Sequence, residues 1–508
     1  MSTVHAATTD TPTTASSITT VAGTGTAAFG GDDGPATTAR LNTPRGLAAD
    51  RAGTLYLADT DNHRIRRITP NGTITTVAGT GAGGFGGDHG PATAARLNWP
   101  IAVAVDSTGA LYIADYANHR VRKVAPDGTI TTVAGTGTAG YGGDNGPATA
   151  AALKSPMGVA LDSAGALYIA DRDNHRVRKV TADGRITTVA GTGAAGFGGD
   201  DGPATAAALK SPTRVALDSA GTLYLADSGN HRLRKVTPDG TITTVAGTGT
   251  AGSSGDNGPA ANATLNNPFG IAVDHDGTLY LADFDNHRVR RITPDGTITT
   301  VAGTGTAGSS GDNGPATAAQ LKNPQDVALD SAGALYLAEA HNHRVRRVVT
   351  ARVTGLPASG AVVSWTNVRS KLRMAVFRES TKDGAEVHQS LPAARDHQRW
   401  RLTLVGQDGG DALYTIQNAR SGKVLEIDEA RTADGAVVVQ RAYAGAGARH
   451  QQWKLIPVDP GADAPRVFRI VNRNSGLSLR VETNAQGVVR QSGAAGDDEK
   501  RQWRMVPA

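Results

Sequence analysis

Over the first 350 positions, short apolar runs alternate with turn residues and never lengthen into a helical stripe. One stretch shows the pattern. Residues 47–50 are apolar, 55–58 read Leu-Tyr-Leu-Ala, 64–68 alternate Arg and Ile, and 73–77 are rich in Thr, Ile and Val. Each run has the length and β-branched or aromatic character of a strand. Asp50-Arg51-Ala52-Gly53 places Asp first and Gly last in a type I turn. Pro70-Asn71-Gly72 is a hairpin signal between the last two runs.

The pattern repeats. Asn-His-Arg puts histidines at His63, His119, His175, His231, His287 and His343, each 56 residues after the last. Ile-Thr-Thr-Val-Ala-Gly starts at Ile18, Ile74, Ile130, Ile186, Ile242 and Ile298 with the same step. A fixed period of this size signals a solenoid, propeller or array. Four antiparallel strands in each of six units predict an all-β, six-bladed β-propeller. No further Ile-Thr-Thr-Val-Ala segment follows His343. The N-terminal segment is therefore expected to supply the outer strand of the last blade, closing the ring and covering its edges.

Strand order puts the 23–44 connection and the 59–63 turn on one face, the top, where the elaboration lies. Positions identical in all six units are scaffold, and positions that vary could build a site. At the mouth of the innermost strand these are Arg45, Ile101, Met157, Thr213, Phe269 and Gln325, followed by Arg214 and Asp326 at the next position. In the 59–63 turn and its equivalents they are Thr60, Tyr116, Arg172, Ser228, Phe284 and Ala340. The long connection carries Phe29, Phe85, Tyr141 and Phe197 in four units and Ser253 and Ser309 in the other two. From these, Arg45, Tyr116, Arg172, Arg214, Phe269, Phe284 and Asp326 are the candidate top-face ligand site. The six histidines sit at equivalent points on different blades, on the order of 10 Å apart, and cannot share a metal ion whose ligands lie at about 2.1 Å. Asp59, Asn62 and His63 are expected to satisfy backbone groups of the turn. Asp32, in the loop Gly30-Gly31-Asp32-Asp33-Gly34-Pro35, is expected to cap turns, with calcium as the alternative. No metal and no cofactor are assigned.

The unit resembles the NHL repeat, on Gly53-Thr-Leu-Tyr-Leu-Ala-Asp59 followed by Asp61-Asn62-His63-Arg64-Ile65-Arg66. Glu339 replaces the aspartate in the last unit, and Arg follows His where the third letter of the family's name would stand. The resemblance implies the propeller fold. For function it implies a range, including RNA binding, protein docking, lyase and sensor domains.

From about residue 361 the period stops and tryptophan appears, at Trp365, Trp400, Trp453 and Trp503. The last three follow Gln398-Arg399, Gln451-Gln452 and Arg501-Gln502, each after a β-rich run and a Gly turn. Three such units predict a β-trefoil. The segment Asn418-Ala419-Arg420-Ser421-Gly422-Lys423-Val424-Leu425-Glu426-Ile427 through Trp453 is similar to one lobe of a ricin B-type lectin. That resemblance implies a carboxylate, an aromatic and a Gln on a sugar. Lobe by lobe, the acidic position holds Ala375, Glu426 and Arg480, and the Asn position holds His397, His450 and Lys500. The middle lobe alone keeps the set, and Glu426, Gln440, Tyr443, His450 and Gln451 are its candidate carbohydrate-binding residues.

The domain plan is a polar, disordered leader over 1–17, a propeller over 18–350, a linker over 351–360 and a trefoil over 361–508. The chain has 508 residues, no cysteine and 4% aromatics. Disulfide scaffolds and thiol chemistry are excluded. The last 148 residues hold 22 basic and 16 acidic side chains, the first 360 hold 29 and 30, so nucleic acid is not an expected partner of the propeller. No signal peptide and no membrane span are legible, which leaves the cytoplasm as default and signal-independent export as an option. The reading is a non-enzymatic binding protein: a trefoil for a glycan or polysaccharide on a propeller docking platform for a protein or small ligand. The alternatives are a propeller lyase or hydrolase targeted by the trefoil, and RNA binding by the propeller top.

Overall fold

The computed structural model describes residues 16–349 and 360–507, apart from 51, 275–276, 331–332, 394, 409–410, 446, 459–466, 482–487 and 493–498. It divides into two compact units, Met1–Thr350 and Ala351–Ala508. Residues 351–359 of the proposed linker and most of the proposed leader lie outside the described residues. Ser17, placed in the leader by the sequence reading, belongs to the first strand, Ser17–Ala22.

The first unit is a ring of six antiparallel sheets. The first blade is built from Pro44–Ala49, Leu55–Asp59, Arg64–Ile68 and Thr73–Ala78, innermost strand first. The last blade takes its outer strand from Ser17–Ala22, with Ile18 opposite Val348. Closure therefore joins the two ends of the unit. In four blades a two-residue Gly-Pro strand from the long connection adds to the outer edge, as Gly34–Pro35 does opposite Ile74 and Thr73.

Apolar burial lies between neighbouring blades. One core combines Leu47, Leu55 and Leu57 of the first blade with Tyr336, Ala338 and Val345 of the last. The third strand shows why its sequence alternates: Ile65 and Ile68 are buried, and so is Arg66, which points into a polar seam. Arg66 is fully buried, 3.1 Å from Asp59 and 2.6 Å from Asp32. Asp59 also accepts from Asn62 at 2.8 Å and from the Asn42 N–H at 2.7 Å. Burial pushes the Asp59 carboxyl up to about 6, against the pull of these donors and of Arg66. Asp32 does not cap turns. Its oxygens take the Arg66 guanidinium and the Thr76 hydroxyl, so a cation already stands where calcium was considered. Glu339 takes this place in the last blade, 3.7 Å from Arg346, and burial pushes its carboxyl up to about 7.

The second unit has twelve strands in three lobes of four, from Val362–Asn367 to Gln502–Pro507. Val362–Asn367 pairs with the last strand, closing the barrel. Trp365, Trp400, Trp453 and Trp503 are fully buried. Three of them donate Nε1–H to equivalent carbonyls, of Met374, Leu425 and Leu479, at 3.0–3.2 Å. The tryptophans are core rather than sugar platforms.

Candidate functional site

Pairing in the first blade runs from Pro44–Asp59 to Leu47–Leu57 with a register shift between, and the other blades break at the same point. A bulge of this kind re-aims side chains. It places the variable residues 45–46 and their equivalents at the inner mouth of the ring, which is why the innermost strand starts three residues before the apolar run. At position 46 and its equivalents space is short. A Cβ on Gly46 would lie 2.4 Å from the Ile101 carbonyl oxygen, and one on Gly270 2.5 Å from the Asp326 Cα.

The two large residues at this level close the axis. Arg214 Nε lies 3.1 Å from Asp326 Oδ2, an ion pair between the fourth and sixth blades. Arg214 also donates to the carbonyls of Met157 and Ile101, in the third and second blades. Asp326 accepts the N–H of Leu47, in the first blade, at 3.1 Å. Both side chains are buried. The sequence singled out these two residues without joining them. They form a plug that holds five blades, and burial pushes the Asp326 carboxyl up against the pull of Arg214.

Above the plug, Ile101, Met157 and Phe269 form an apolar cluster against which Tyr116 and Phe284 pack. The Phe269 and Phe284 rings lie 4.7 Å apart, and His341, which sequence reading passed over, meets Phe284 edge-on at 6.2 Å. On the polar side, Ser228 donates to the Pro268 carbonyl, and Thr60 donates to the Pro100 carbonyl at 2.8 Å. Arg45 lies within electrostatic reach of Asp61, Arg214, Tyr116 and Arg172. The aromatic residues of the long connection are elsewhere. Phe29, Phe85, Tyr141 and Phe197 lie over the third strands, each under an Arg guanidinium at 3.6–3.8 Å.

The repeat histidines serve the ring. His63 Nδ1 accepts the backbone N–H of Trp99 in the next blade at 3.1 Å, and each of the other five does the same. Among the described residues no three His, Cys, Asp or Glu side chains are grouped to hold a metal ion.

In the trefoil, the middle lobe brings Glu426 together with Gln451, Arg441 and His450. Gln451 donates to Glu426 Oε2 at 2.7 Å, Arg441 Nε is 3.0 Å from Oε1, and His450 Nε2 is 3.7 Å from Oε2. Tyr443 is 46% exposed beside them in sequence. Gln440 is a correction. It is fully buried, accepts from Ser421 at 2.6 Å and donates to the Ser380 and Lys382 carbonyls. Gln491 makes the equivalent bonds in the third lobe. Gln440 is thus a scaffold residue that ties lobes together. Strand alternation sends its neighbour Arg441 to the carboxylate instead. The alternation along the strand Val438–Arg441 carries that signal in the sequence.

These features define the class: an NHL-repeat six-bladed propeller joined in one chain to a ricin-type β-trefoil. The comparisons with known proteins agree. NHL repeats match residues 97–124, 153–180, 209–236 and 321–348, and a Teneurin NHL domain matches 9–85 and 248–310. A Ricin-type beta-trefoil lectin domain-like family matches 352–441 and 396–492. The chain is 32% identical over 279 residues to Protein SUPPRESSOR OF QUENCHING 1, chloroplastic, of Arabidopsis thaliana, covering 52% of this chain and 26% of that protein. It is 34% identical over 231 residues to Teneurin-1 of Mus musculus, covering 41% of this chain and 8% of that one. The chain therefore spans about a quarter or less of these two relatives. A structural genomics protein of unknown function from Bacteroides thetaiotaomicron shares the fold, at 23% identity and a TM-score of 0.50, covering 66% of this chain and 76% of that one.

Proposed function

We propose that the chain is a non-enzymatic binding protein, with a sugar site in the middle lobe of the trefoil and a docking face on the propeller top. The observation that carries the sugar reading is Glu426, a buried carboxylate oriented by Gln451 and flanked by His450, in one lobe only. A carboxylate held this way accepts from vicinal sugar hydroxyls, and the exposed Tyr443 ring offers a face to the apolar side of a pyranose. The equivalent positions, Ala375 and Arg480, lack the acceptor. On the propeller, a plugged axis and a locked Asp326 favour docking over catalysis.

The test is a glycan array probed with the full chain, then titration of the best sugar. One shallow site should give a Kd on the order of 1 mM. Glu426→Ala should abolish binding and Tyr443→Ala should weaken it. A sugar that binds both variants like the parent would overturn the assignment.

A further inference from the structure

The top of the propeller holds a cation that, among the described residues, has no ion-pair partner. Arg45 sits at the inner mouth, and its Nε is buried with no hydrogen-bond acceptor. Among the described residues it makes no ion pair. Its neighbours are committed: Arg214 to Asp326 at 3.1 Å, and Arg172 to Asp173 at 3.1 Å. Burial holds the Arg45 guanidinium below its ordinary value, Asp61 opposes this, and Arg214 and Arg172 act with burial. A half-buried guanidinium with Asp61 as its nearest opposite charge and no carboxylate within ion-pair distance is costly to keep, and such groups mark places where a partner of opposite charge binds. Tyr116 and His341 lie within electrostatic reach of Arg45, His341 meets the Phe284 ring, and the half-buried Tyr116 and Phe284 rings cover the buried cluster of Ile101, Met157 and Phe269.

We propose that this face binds a small organic anion, a carboxylate on a flat apolar frame, with Arg45 as counter-ion and the half-buried Tyr116 and Phe284 rings against the frame. The inference rests on reading the propeller top as a binding face, and it names the ligand class. One guanidinium at the inner mouth suits a single negative charge, while the exposed Lys154, Lys210 and Lys322 stand farther out, beside the turn histidines. A phosphate-rich chain would need a basic stripe, which the first 360 residues, with 29 basic and 30 acidic side chains, do not supply. The geometry also separates a binding role from a structural one. Among the described residues Arg45 makes no ion pair and its Nε no hydrogen bond, so its loss should not loosen the ring.

The experiment is calorimetric titration of the full chain with benzoate, 4-hydroxybenzoate and indole-3-acetate, each beside its amide, and with acetate. At least one aromatic acid should saturate, with its amide and acetate weaker by about tenfold or more, the equivalent of about 1.4 kcal/mol. Arg45→Gln should lose that preference while its melting temperature stays level or rises, and Phe284→Ala should weaken the aromatic acids more than acetate. Glu426→Ala should leave this binding unchanged, which separates it from the trefoil. Amides that bind as well as acids would overturn the anion assignment and leave the top as a ligand face. Failure of every probe to saturate at about 10 mM, the −2 to −3 kcal/mol range, would overturn both. Arg45→Gln that melts lower and still binds would show a structural arginine and overturn the inference. Binding of an acidic peptide or an oligonucleotide, with none of the small acids, would also overturn it.

Discussion

His343 Nδ1 accepts the backbone N–H of Thr43 at 3.1 Å, across 300 residues of sequence. It is the closing member of six equivalent bonds; in the other five the histidine accepts from the residue 36 positions on, in the next blade. Both ends use left-handed backbone: His343 has φ 50° and Thr43 φ 53°. That conformation is uncommon outside glycine, and it recurs at every blade junction. Together with the outer strand Ser17–Ala22, this bond joins the first blade to the last.

An Nδ1 that accepts a hydrogen bond belongs to a neutral ring with its proton on Nε2. Burial, the leading cause at all six, lowers these histidines below their ordinary value. The sign follows. As pH falls through the unfolded value near 6.5 the unfolded chain takes the proton first, so this contribution to stability is full above about 6.5 and declines below it. The buried carboxyls raised to about 6, such as Asp59 and Asp115, act in the opposite sense between about 4 and 6, since the folded state there binds more protons. A site-resolved readout is needed. Proton–nitrogen NMR of the imidazoles should show six Nε2–H tautomers titrating below free histidine. A repeat histidine that titrates above 6.5, or carries its proton on Nδ1, would contradict the bond.

Ile18 is fully buried in the outer strand of the last blade, opposite Val348. Ile18→Ala should cost about 2–5 kcal/mol in denaturant unfolding, as for other buried large-to-small changes. The equivalent Ile130→Ala, inside a blade made of consecutive strands, should cost a similar amount. A free Ile18→Ala beside a costly Ile130→Ala would mean that the N-terminal strand does not close the ring in solution.

The Arg214–Asp326 plug should show strong coupling. Asp326→Ala leaves a buried guanidinium facing two carbonyls and no carboxylate, at an expected cost of about 3–5 kcal/mol. Arg214→Met with Asp326→Leu removes both charges and should cost less than the two single changes added together. Additive losses in the double-mutant cycle would mean that the two residues act independently.

Gln440 and Glu426 should separate by readout. Gln440→Ala strips the Ser380 and Lys382 carbonyls and the Ser421 hydroxyl of their partner and should destabilise the trefoil by about 1–3 kcal/mol. Glu426→Ala should act on sugar binding and leave the melting temperature closer to the parent. Equal stability losses from the two would place Glu426 in the scaffold as well.

The sequence by itself determined the repeat, and with it the fold. A 56-residue period with Asn-Gly or Asp-Gly hairpins and Thr-Ile-Thr runs admits four strands per unit, and an outer strand with no inner partners at the start demands a ring. Local propensity and turn chemistry act within one blade, so they are legible residue by residue. The middle lobe's carboxylate was legible for the same reason, because comparison of three lobes isolates Glu426. What only the tertiary structure decided is which side chains meet across the ring or between lobes. Arg214 and Asp326 lie 112 residues apart in sequence and join at 3.1 Å because a bulge in every innermost strand turns position 46 and its equivalents toward the axis. Gln440 and Arg441 exchange the roles expected of them because adjacent residues of a strand face opposite sides, one into the core and one toward Glu426. The histidines looked like local turn residues, yet each reaches the next blade, since the left-handed turn that ends at His63 aims its ring outward along the circumference rather than back into its own blade.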